Sequence, residues 1–259
     1  MVITKENEYV FRITTPYKDI FTSIYLIKTD SGSMLFDTGS YPSDVSEYII
    51  PFLSEAGIDE NEIKYVLISH NHSDHSGGLE AFFERYPDVT VLSRHRALVE
   101  KYQNSILPSN GDVFFDVLKI VTIPGHTSDA MGIIDLRTNT LICGDCLQMY
   151  GIYGSGEWGS NITLVKQYFN ALDTLEKLSI ENILTAHDYH PHGYKYVGKS
   201  DVALALKYCR ESLLNILSLI KAEPELSSTE LAAKYNSLGL PKINERVIGA
   251  LKGYLEENQ

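Results

Sequence analysis

Cysteine is scarce in this sequence, which has three among its 259 residues, Cys143, Cys146 and Cys209. Three unevenly placed cysteines do not build the disulfide framework of a secreted protein, so the sequence predicts a reducing compartment. Cys143 and Cys146 form a CxxC motif. Because Asp145 stands between them at a predicted strand end, we expect buried thiols rather than a redox pair.

Long hydrophobic runs are also missing. The apolar stretches YVLIS and TLIC are far shorter than the ~20 residues that cross a bilayer. The start, MVITKENEYVF, has no basic region followed by a long apolar stretch, as a targeting segment would. The sequence therefore predicts a cytoplasmic protein with no membrane partner.

Basic residues are outnumbered: 22 Lys and Arg face 34 Asp and Glu, which gives a formal net charge of -12. A protein of this charge repels polyphosphate backbones on average, although a local basic patch is still compatible with it. We therefore expect a small-molecule substrate rather than nucleic acid.

What the sequence does contain is a mixture of strand and helix patterns, with 44% hydrophobic residues, enough for one sizeable core. EYVFRIT, FTSIYLIKTD, IKYVLIS, VTVLS and MGIIDL predict strands. SDVSEYIIPFLSEAG and GGLEAFFERYP predict helices, and Ser43 is the expected N-cap of the first of these, with Pro51 as its kink. The mixture indicates an α/β domain of residues 1–199.

The last sixty or so residues differ from this pattern. From about residue 200 only helical patterns occur, with breaks at Pro224 and at LGLP. The stretch SSTELAAKY carries a capping signal, a serine or threonine ahead of a glutamate. Residues 200–259 are therefore predicted to form a small helical module, which leans on the main domain because it is near the lower size limit for independent folding.

The segment HNHSDHSGG, directly after the apolar run YVLIS, crowds four ligand-type residues into six positions: His70, His72, Asp74 and His75. Alternate side chains of an extended segment face the same side, so His70 and His72 suit a shared ion. The turn that follows lets Asp74 and His75 approach from a second direction. Imidazole and carboxylate are usual ligands of zinc and related metals. A single HxH would favour a plain hydrogen-bonded loop, but this density favours a metal site.

Three more ligand-type residues follow apolar strands elsewhere: His126 in TIPGHTSD, Asp145 in LICGDC and His187 in ILTAHDYH. Any one of them alone is more often an ordinary loop residue that makes hydrogen bonds. Four strand ends that each deliver a metal-ligand type form a combination that chance rarely produces. The pattern indicates a shared metal centre.

These motifs, together with FDTG at Asp37, resemble the metallo-β-lactamase-fold hydrolases over about residues 8 to 195. The resemblance implies an αββα sandwich, two mixed β-sheets packed face to face with helices outside. It also implies the role of each site residue. The first metal would be bound by His70, His72 and His126, and the second by Asp74, His75 and His187. Asp145 would bridge the two metals, and Asp37 would anchor the ligands from beneath by hydrogen bonds.

The resemblance further implies two divalent metal ions, zinc in the first place, with iron or manganese as alternatives. Members that hydrolyse β-lactams best commonly have cysteine at the position of Asp145, so antibiotic hydrolysis is disfavoured. Glyoxalase II-like thioesterases, lactonases and several phosphodiesterases are more similar there. Redox diiron relatives typically have glutamate in place of His72, so hydrolysis is favoured over redox chemistry.

The expected mechanism follows from charge. Two ions roughly 3.5 to 4 Å apart lower the pKa of a shared water, so that a bridging hydroxide attacks a carbonyl or phosphoryl centre. Asp74 and Asp145 are the expected catalytic carboxylates; Asp74 would orient the nucleophile and relay a proton, with plain ligation as its alternative. We expect hydrolysis of a small ester, thioester or lactone. A phosphodiesterase or nuclease, or a non-catalytic metal-binding protein, is the alternative.

Substrate contacts are predicted in QMYGIYGSGEWGSN, which combines glycines with aromatic residues that include Tyr153 and the only tryptophan, Trp158. These aromatics would line an apolar pocket or pack against the sandwich edge, and the sequence leaves both open. Tyr194 could donate a hydrogen bond to an oxyanion. His190 and His192 are expected at the surface or behind the ligands.

The helical end of the chain is weakly similar to the winged-helix-type tail of some family members. Such a tail covers an active-site cleft, forms a dimer contact or helps to bind a nucleic-acid strand. Its acidic residues argue against the last role, so closure of the cleft or a homodimer contact is favoured.

Overall fold

The computed structural model describes residues 2–154, 159–239 and 241–258. By their internal contacts these residues form two units, one up to Val121 and the other from Thr122. None of the helices in these ranges combines the length and the hydropathy of a bilayer-spanning segment.

The first unit contains a seven-stranded mixed sheet. Its strands, in sheet order, are β1 (Thr4–Lys5), β2 (Val10–Tyr17), β3 (Ile20–Thr29), β4 (Gly32–Phe36), β5 (Ile63–Ile68), β6 (Thr90–Ser93) and β7 (Ser105–Ile106). Strands β1 to β4 pair antiparallel and β4 to β7 pair parallel. Since parallel strands end at the same edge of a sheet, the FDTG motif after β4 and the HNHSDH motif after β5 begin side by side.

The helices of the first unit are short. They are α1 (Pro42–Asp44), α2 (Ile50–Glu55), α3 (Ser73–Ser76), α4 (Leu79–Arg85) and α5 (Arg96–Lys101). The predicted N-cap at Ser43 is wrong: Tyr41 is the N-cap and Pro42 is the first helical residue, where its fixed φ suits the helix and its missing N–H is not needed. The predicted kink at Pro51 takes the form of a π-helical turn over Val45–Ile49, directly before α2.

One hydrophobic cluster of the first unit lies on one face of its sheet. Ile24, Leu26 and Val66 of β3 and β5 form a buried cluster with Phe52 of α2 and Phe82 of α4. Removing a buried phenylalanine side chain typically costs about 3–5 kcal/mol, so this cluster fixes the sheet edge from which the two motifs extend.

The second sheet is also mixed and has six strands, in the order β13-β12-β11-β10-β9-β8. They are β8 (Val113–Phe114), β9 (Leu118–Thr122), β10 (Met131–Asp135), β11 (Thr140–Ile142), β12 (Asn182–Tyr189) and β13 (Gly193–Val197). β11 and β12 are parallel, and Ile142 pairs with Leu184. Asp145 and His187 each lie three residues beyond that pair, so the register brings them to the same edge.

The helices of the second unit are α6 (Val165–Leu175), α7 (Lys199–Ala222), α8 (Ser228–Asn236) and α9 (Glu245–Glu257). The predicted capping signal is confirmed at α8, where Ser227 and Glu230 each accept the other's backbone N–H. The described residues beyond Val197 contain helices and no strand, as the sequence predicts. The separation of a module at residue 200 stays a prediction.

Candidate metal centre

The first unit presents four ligand-type side chains just after β5. His70, Asp74 and His75 are buried, and His72, the N-cap of α3, is exposed. His70 Nε2 lies 2.9 Å from His72 Nδ1, as expected of alternate residues that share a face. His75 Nε2 lies 3.3 Å from Asp74 Oδ2. The segment therefore forms two neighbouring pairs of ligand atoms.

Asp37 orients one of these histidines. Its Oδ2 lies 2.7 Å from His75 Nδ1, and its two oxygens accept hydrogen bonds from Ser69 N at 2.7 Å and Ser69 Oγ at 2.9 Å. A carboxylate only accepts, so Nδ1 carries the proton and Nε2 keeps its lone pair for an ion. Burial raises the pKa of Asp37 above its ordinary value, and the contacts with His75 and Ser69 oppose that rise. Asp37 also has a φ of 65°, a left-handed conformation that aspartate tolerates better than most residues.

Two glycines allow the ligand segment to lie against the FDTG loop. A Cβ on Gly77 would lie 2.0 Å from the backbone oxygen of Ser40, and one on Gly78 would lie 2.2 Å from that of Thr38. Both glycines have ordinary helical φ values. They are needed because the two backbones come too close for a side chain.

Thr22, on β3, also contacts this segment, and no sequence motif pointed to it. Its hydroxyl donates to Asp74 Oδ2 at 3.2 Å, and both side chains are buried. The partner of Asp74 is 52 positions away in the chain, so only the folded sheet brings it into place.

In the second unit, His126 follows β9 and a Pro-Gly turn and is oriented by the main chain. Its Nδ1 lies 2.7 Å from the carbonyl oxygen of Asn161. That oxygen only accepts, so Nδ1 donates and Nε2 is left with a lone pair. Gln148 holds the same region, since its Oε1 accepts from Asn161 N at 2.6 Å and its Nε2 donates to the Asp145 carbonyl at 3.2 Å.

Asp145 lies between two histidines of the second unit. Its Oδ2 is 3.7 Å from His126 Nε2, and its Oδ1 is 3.0 Å from His187 Nε2. All three side chains are buried. Each carboxylate oxygen therefore faces a different imidazole, which is the arrangement required of a residue that contacts two ions at once.

Tyr189 is a site residue that sequence reasoning missed. It is fully buried on β12, and its hydroxyl donates to Asp145 Oδ1 at 3.0 Å. Burial raises its pKa well above the ordinary value, so the phenol stays neutral. A signal was present, because Tyr189 lies two positions after His187 and alternate residues of a strand share a face.

The predicted substrate residues have varied positions. Tyr153 is 42% exposed, donates from its hydroxyl to the Pro191 carbonyl at 2.9 Å, and stacks on His190 with ring centroids 3.7 Å apart. Tyr194 is half-buried on β13. Partial burial lowers the pKa of His190. Trp158 lies outside the described residues. Cys143 and Cys146 are buried and not joined by a disulfide, which confirms the predicted burial of the CxxC thiols.

The sequence model of the Metallo-beta-lactamase superfamily matches residues 17–187, well over half of the chain. This chain belongs to the metallo-beta-lactamase superfamily. The motif-based resemblance is thereby confirmed.

Named relatives of this superfamily include two hydrolases. An atrochrysone carboxyl ACP thioesterase from Aspergillus fumigatus is 27% identical over 79% of this chain and 46% of that protein. A hydroxyacylglutathione hydrolase from Francisella philomiragia is 29% identical over 51% of this chain and 53% of that protein. The chain thus spans about half the length of each of these relatives.

A solved structure supports the fold. The metallo-beta-lactamase family protein from Thermus thermophilus has a TM-score of 0.72 at 18% identity, over 96% of this chain and 93% of that one. With two mixed sheets and flanking helices, this confirms the predicted αββα class of fold.

The donor atoms of this metallo-beta-lactamase superfamily chain fit divalent metal ions. Two ligand atoms about 2.0–2.1 Å from one tetrahedral ion lie about 3.3 Å from each other. The distance from His75 Nε2 to Asp74 Oδ2 is 3.3 Å in the first unit. In the second unit, the distances from the Asp145 carboxylate to His187 Nε2 and His126 Nε2 are 3.0 and 3.7 Å. All three lie around that value. His75 and His126 moreover have Nδ1 engaged, so Nε2 is the atom available to an ion.

Proposed function

We propose that this protein is a dinuclear metal-dependent hydrolase of small acyl compounds, with thioesters first and esters and lactones next. The proposed ligands of one ion are His70, His72 and His126, those of the other are Asp74, His75 and His187, and Asp145 binds both. Zinc is the first candidate because imidazole and carboxylate are its common ligands, and iron or manganese would suit the same donors.

The observation that carries this proposal is the pair of contacts made by Asp145. Its two oxygens face His126 Nε2 and His187 Nε2 separately, at 3.7 and 3.0 Å. A buried carboxylate that only completed hydrogen bonds would not need an imidazole at each oxygen. The engaged Nδ1 atoms of His75 and His126 support it further, because ligating histidines commonly donate their other N–H to a carboxylate or a backbone carbonyl.

Two bound divalent ions would supply a water of lowered pKa and would polarise the acyl oxygen of the substrate. The protein's own part is to hold the ligands in place before the substrate arrives. Asp37 and the Asn161 carbonyl fix two imidazoles, and Thr22 fixes Asp74 through Oδ2. So held, Asp74 is positioned to orient the attacking water and take up its proton.

Thioesters lead the substrate list because of the named relatives, and polyphosphate substrates rank last because of the net charge. By their names, one relative is a thioesterase that acts on an acyl carrier protein, and the other hydrolyses hydroxyacylglutathione, which is a thioester of glutathione. The net charge of -12 disfavours polyphosphate substrates.

Tyr153 and Tyr194 are proposed substrate contacts. A homodimer is also proposed, and size-exclusion chromatography with light scattering would test it.

Metal content tests the first half of the proposal. The purified parent should hold close to two transition-metal ions per chain by elemental analysis, and His70→Ala and His187→Ala should each lose metal. His192→Ala is the matched control, because it removes an exposed imidazole outside the proposed ligand set. A parent without metal after growth in metal-supplemented medium would reject the proposal.

A substrate panel tests the second half. The metal-loaded parent should hydrolyse at least one small thioester, ester or lactone faster than a generic phosphodiester or a single-stranded RNA. Turnover of the nucleic-acid substrates alone would make the phosphodiesterase reading correct instead.

A further inference from the structure

We infer that Tyr189 is a positioning residue, which fixes the rotation of the Asp145 carboxylate and thereby sets how tightly the ion on the His187 side is held. The inference rests on the proposed function and goes beyond it. It starts from one atom, Asp145 Oδ1, which accepts a hydrogen bond from the Tyr189 hydroxyl at 3.0 Å and also lies 3.0 Å from His187 Nε2.

The direction of that hydrogen bond is fixed by chemistry. An ionised carboxylate only accepts, so the phenol is the donor, and a charged acceptor makes the bond stronger than a neutral one. The bond occupies one of the lone-pair positions of Oδ1 and leaves the other side of that oxygen for an ion. Rotation of the carboxylate would break it.

The phenol is itself held firmly. Tyr189 is fully buried, its ring meets the His187 ring edge-on at 6.1 Å, and its backbone pairs with Gly193 and with Ile152. Because His187 and Tyr189 are alternate residues of β12, one strand positions both side chains that contact Asp145 Oδ1. The other oxygen, Oδ2, faces His126 at the longer distance of 3.7 Å. Loss of the phenol hydroxyl should therefore affect the His187 side first.

A buried tyrosine could also be present only to fill the core, and the chain provides a control for this. Tyr196 lies on the neighbouring strand β13, is 1% exposed, and its hydroxyl has no hydrogen-bond partner among the described residues. Tyr196→Phe thus removes the same hydroxyl from the same sheet without breaking a bond. Any difference between the two variants reports the contact with Asp145.

The test is stepwise zinc removal from the full chain by a chromophoric chelator of known affinity. We expect Tyr189→Phe to hold its first zinc ion like the parent and its second about 10- to 100-fold more weakly, as outer ligand partners generally contribute. Tyr196→Phe should match the parent. Cobalt-substituted protein should show an altered visible absorption spectrum for one of its two ions in Tyr189→Phe alone. Equal zinc retention and equal cobalt spectra for the parent and Tyr189→Phe would overturn the inference.

A second measurement decides the matter even if Tyr189→Phe does not fold. Replacing Tyr189 with 3-fluorotyrosine keeps the hydroxyl and adds a fluorine probe, and the same replacement at Tyr196 is its control. The fluorine resonance at 189 should move on zinc addition more than the resonance at 196, and a resonance at 189 that ignores zinc rejects the inference. A parent that binds no zinc rejects the proposed function as well, whereas a two-zinc parent with an indifferent Tyr189 rejects this inference alone.

Discussion

The two units supply their candidate ligands in different ways. The first contributes four from six consecutive positions, His70 to His75, whereas the second contributes three from separate strand ends, at His126, Asp145 and His187. The groups that orient them differ too: a side chain, Asp37, holds His75, while a main-chain carbonyl, that of Asn161, holds His126. A point mutation can remove the support of His75, whereas a substitution at residue 161 leaves in place the carbonyl that supports His126.

The largest expected effect comes from Asp145→Asn. Asp145 belongs to what we call the dispersed group, His126, Asp145 and His187. An amide is neutral and a poor bridge, so we expect turnover on the best panel substrate to fall by at least ~2 orders of magnitude, with a circular-dichroism spectrum close to the parent. Turnover and metal content are measured with metal in excess. A variant that keeps two ions and parent-like turnover would show that Asp145 does not bridge.

Asp135→Asn is the matched control for that experiment. Asp135 is also a buried strand-end aspartate of the second unit, but its carboxylate accepts from Arg137 N, Nε and Nη2 at 3.0, 2.9 and 2.7 Å. Its loss should lower the free energy of unfolding by about 1–3 kcal/mol and leave turnover of the folded protein near that of the parent. The two variants separate a carboxylate that serves the site from one that serves the fold.

Asp37→Asn should come next in size. Asparagine tolerates the φ of 65° and its oxygen can still accept from Ser69, but its amide donor would face His75 Nδ1. The favoured tautomer would then place the proton on Nε2 and block ligation. We expect zinc affinity to fall about 10- to 100-fold in chelator competition. Unchanged affinity would mean that His75 is oriented without Asp37.

A smaller, pH-dependent effect is expected where Tyr150, five residues after Asp145, contacts helix α7. Tyr150 donates to Glu211 of α7 at 2.9 Å, and burial, followed by this bond, raises the pKa of Tyr150 to about 12. A raised pKa in the folded state stabilises the protein below the ordinary tyrosine value near 10.0, and this stabilisation is lost as the pH rises through about 12.

Urea unfolding of the parent and of Tyr150→Phe, followed from about pH 9 to about pH 12, measures this contribution. The stability advantage of the parent should shrink across that interval. A constant difference between the two proteins would mean that folding does not raise the pKa of Tyr150.

The smallest effect should come from Asn161→Ala. The group that orients His126 is the backbone oxygen of residue 161, which alanine retains. We expect zinc affinity and stability to change by no more than about 0.5 kcal/mol, the usual range for substitutions away from special contacts. A large loss of zinc affinity would place the support in the Asn161 side chain and remove the contrast with Asp37.

The sequence predicts the group His70, His72, Asp74 and His75 well because its members are neighbours in the chain. The alternation of an extended segment already places His70 and His72 on one face. The dispersed group could be selected only by residue type at strand ends and by family resemblance. Asp145 and His187 meet because β11 and β12 pair in a particular parallel register, which local residue patterns do not specify.

The groups behind the ligands were harder still to predict. Thr22 reaches Asp74 across 52 positions, and the support of His126 is a carbonyl that every residue type carries. The helix start at Tyr41 rather than Ser43 was a local error, since a proline at the first helical position outweighed a serine that ranks high as an N-cap.

Two hydrogen bonds join the residues at the two ends of the segment between Met149 and Ser160. Ser160 Oγ donates to the Met149 carbonyl at 2.7 Å, and next to this contact Asn161 N donates to Gln148 Oε1 at 2.6 Å. We call these four residues, Gln148, Met149, Ser160 and Asn161, the neck of the segment. The neck ends at the Asn161 carbonyl, which orients His126. For protein engineering, sequences exchanged within this segment, but beyond Ile152, which pairs with Tyr189, should therefore vary in length and chemistry, and thus in specificity, while the neck keeps the imidazole aligned. Grafts that cut into the neck would instead change metal affinity together with specificity.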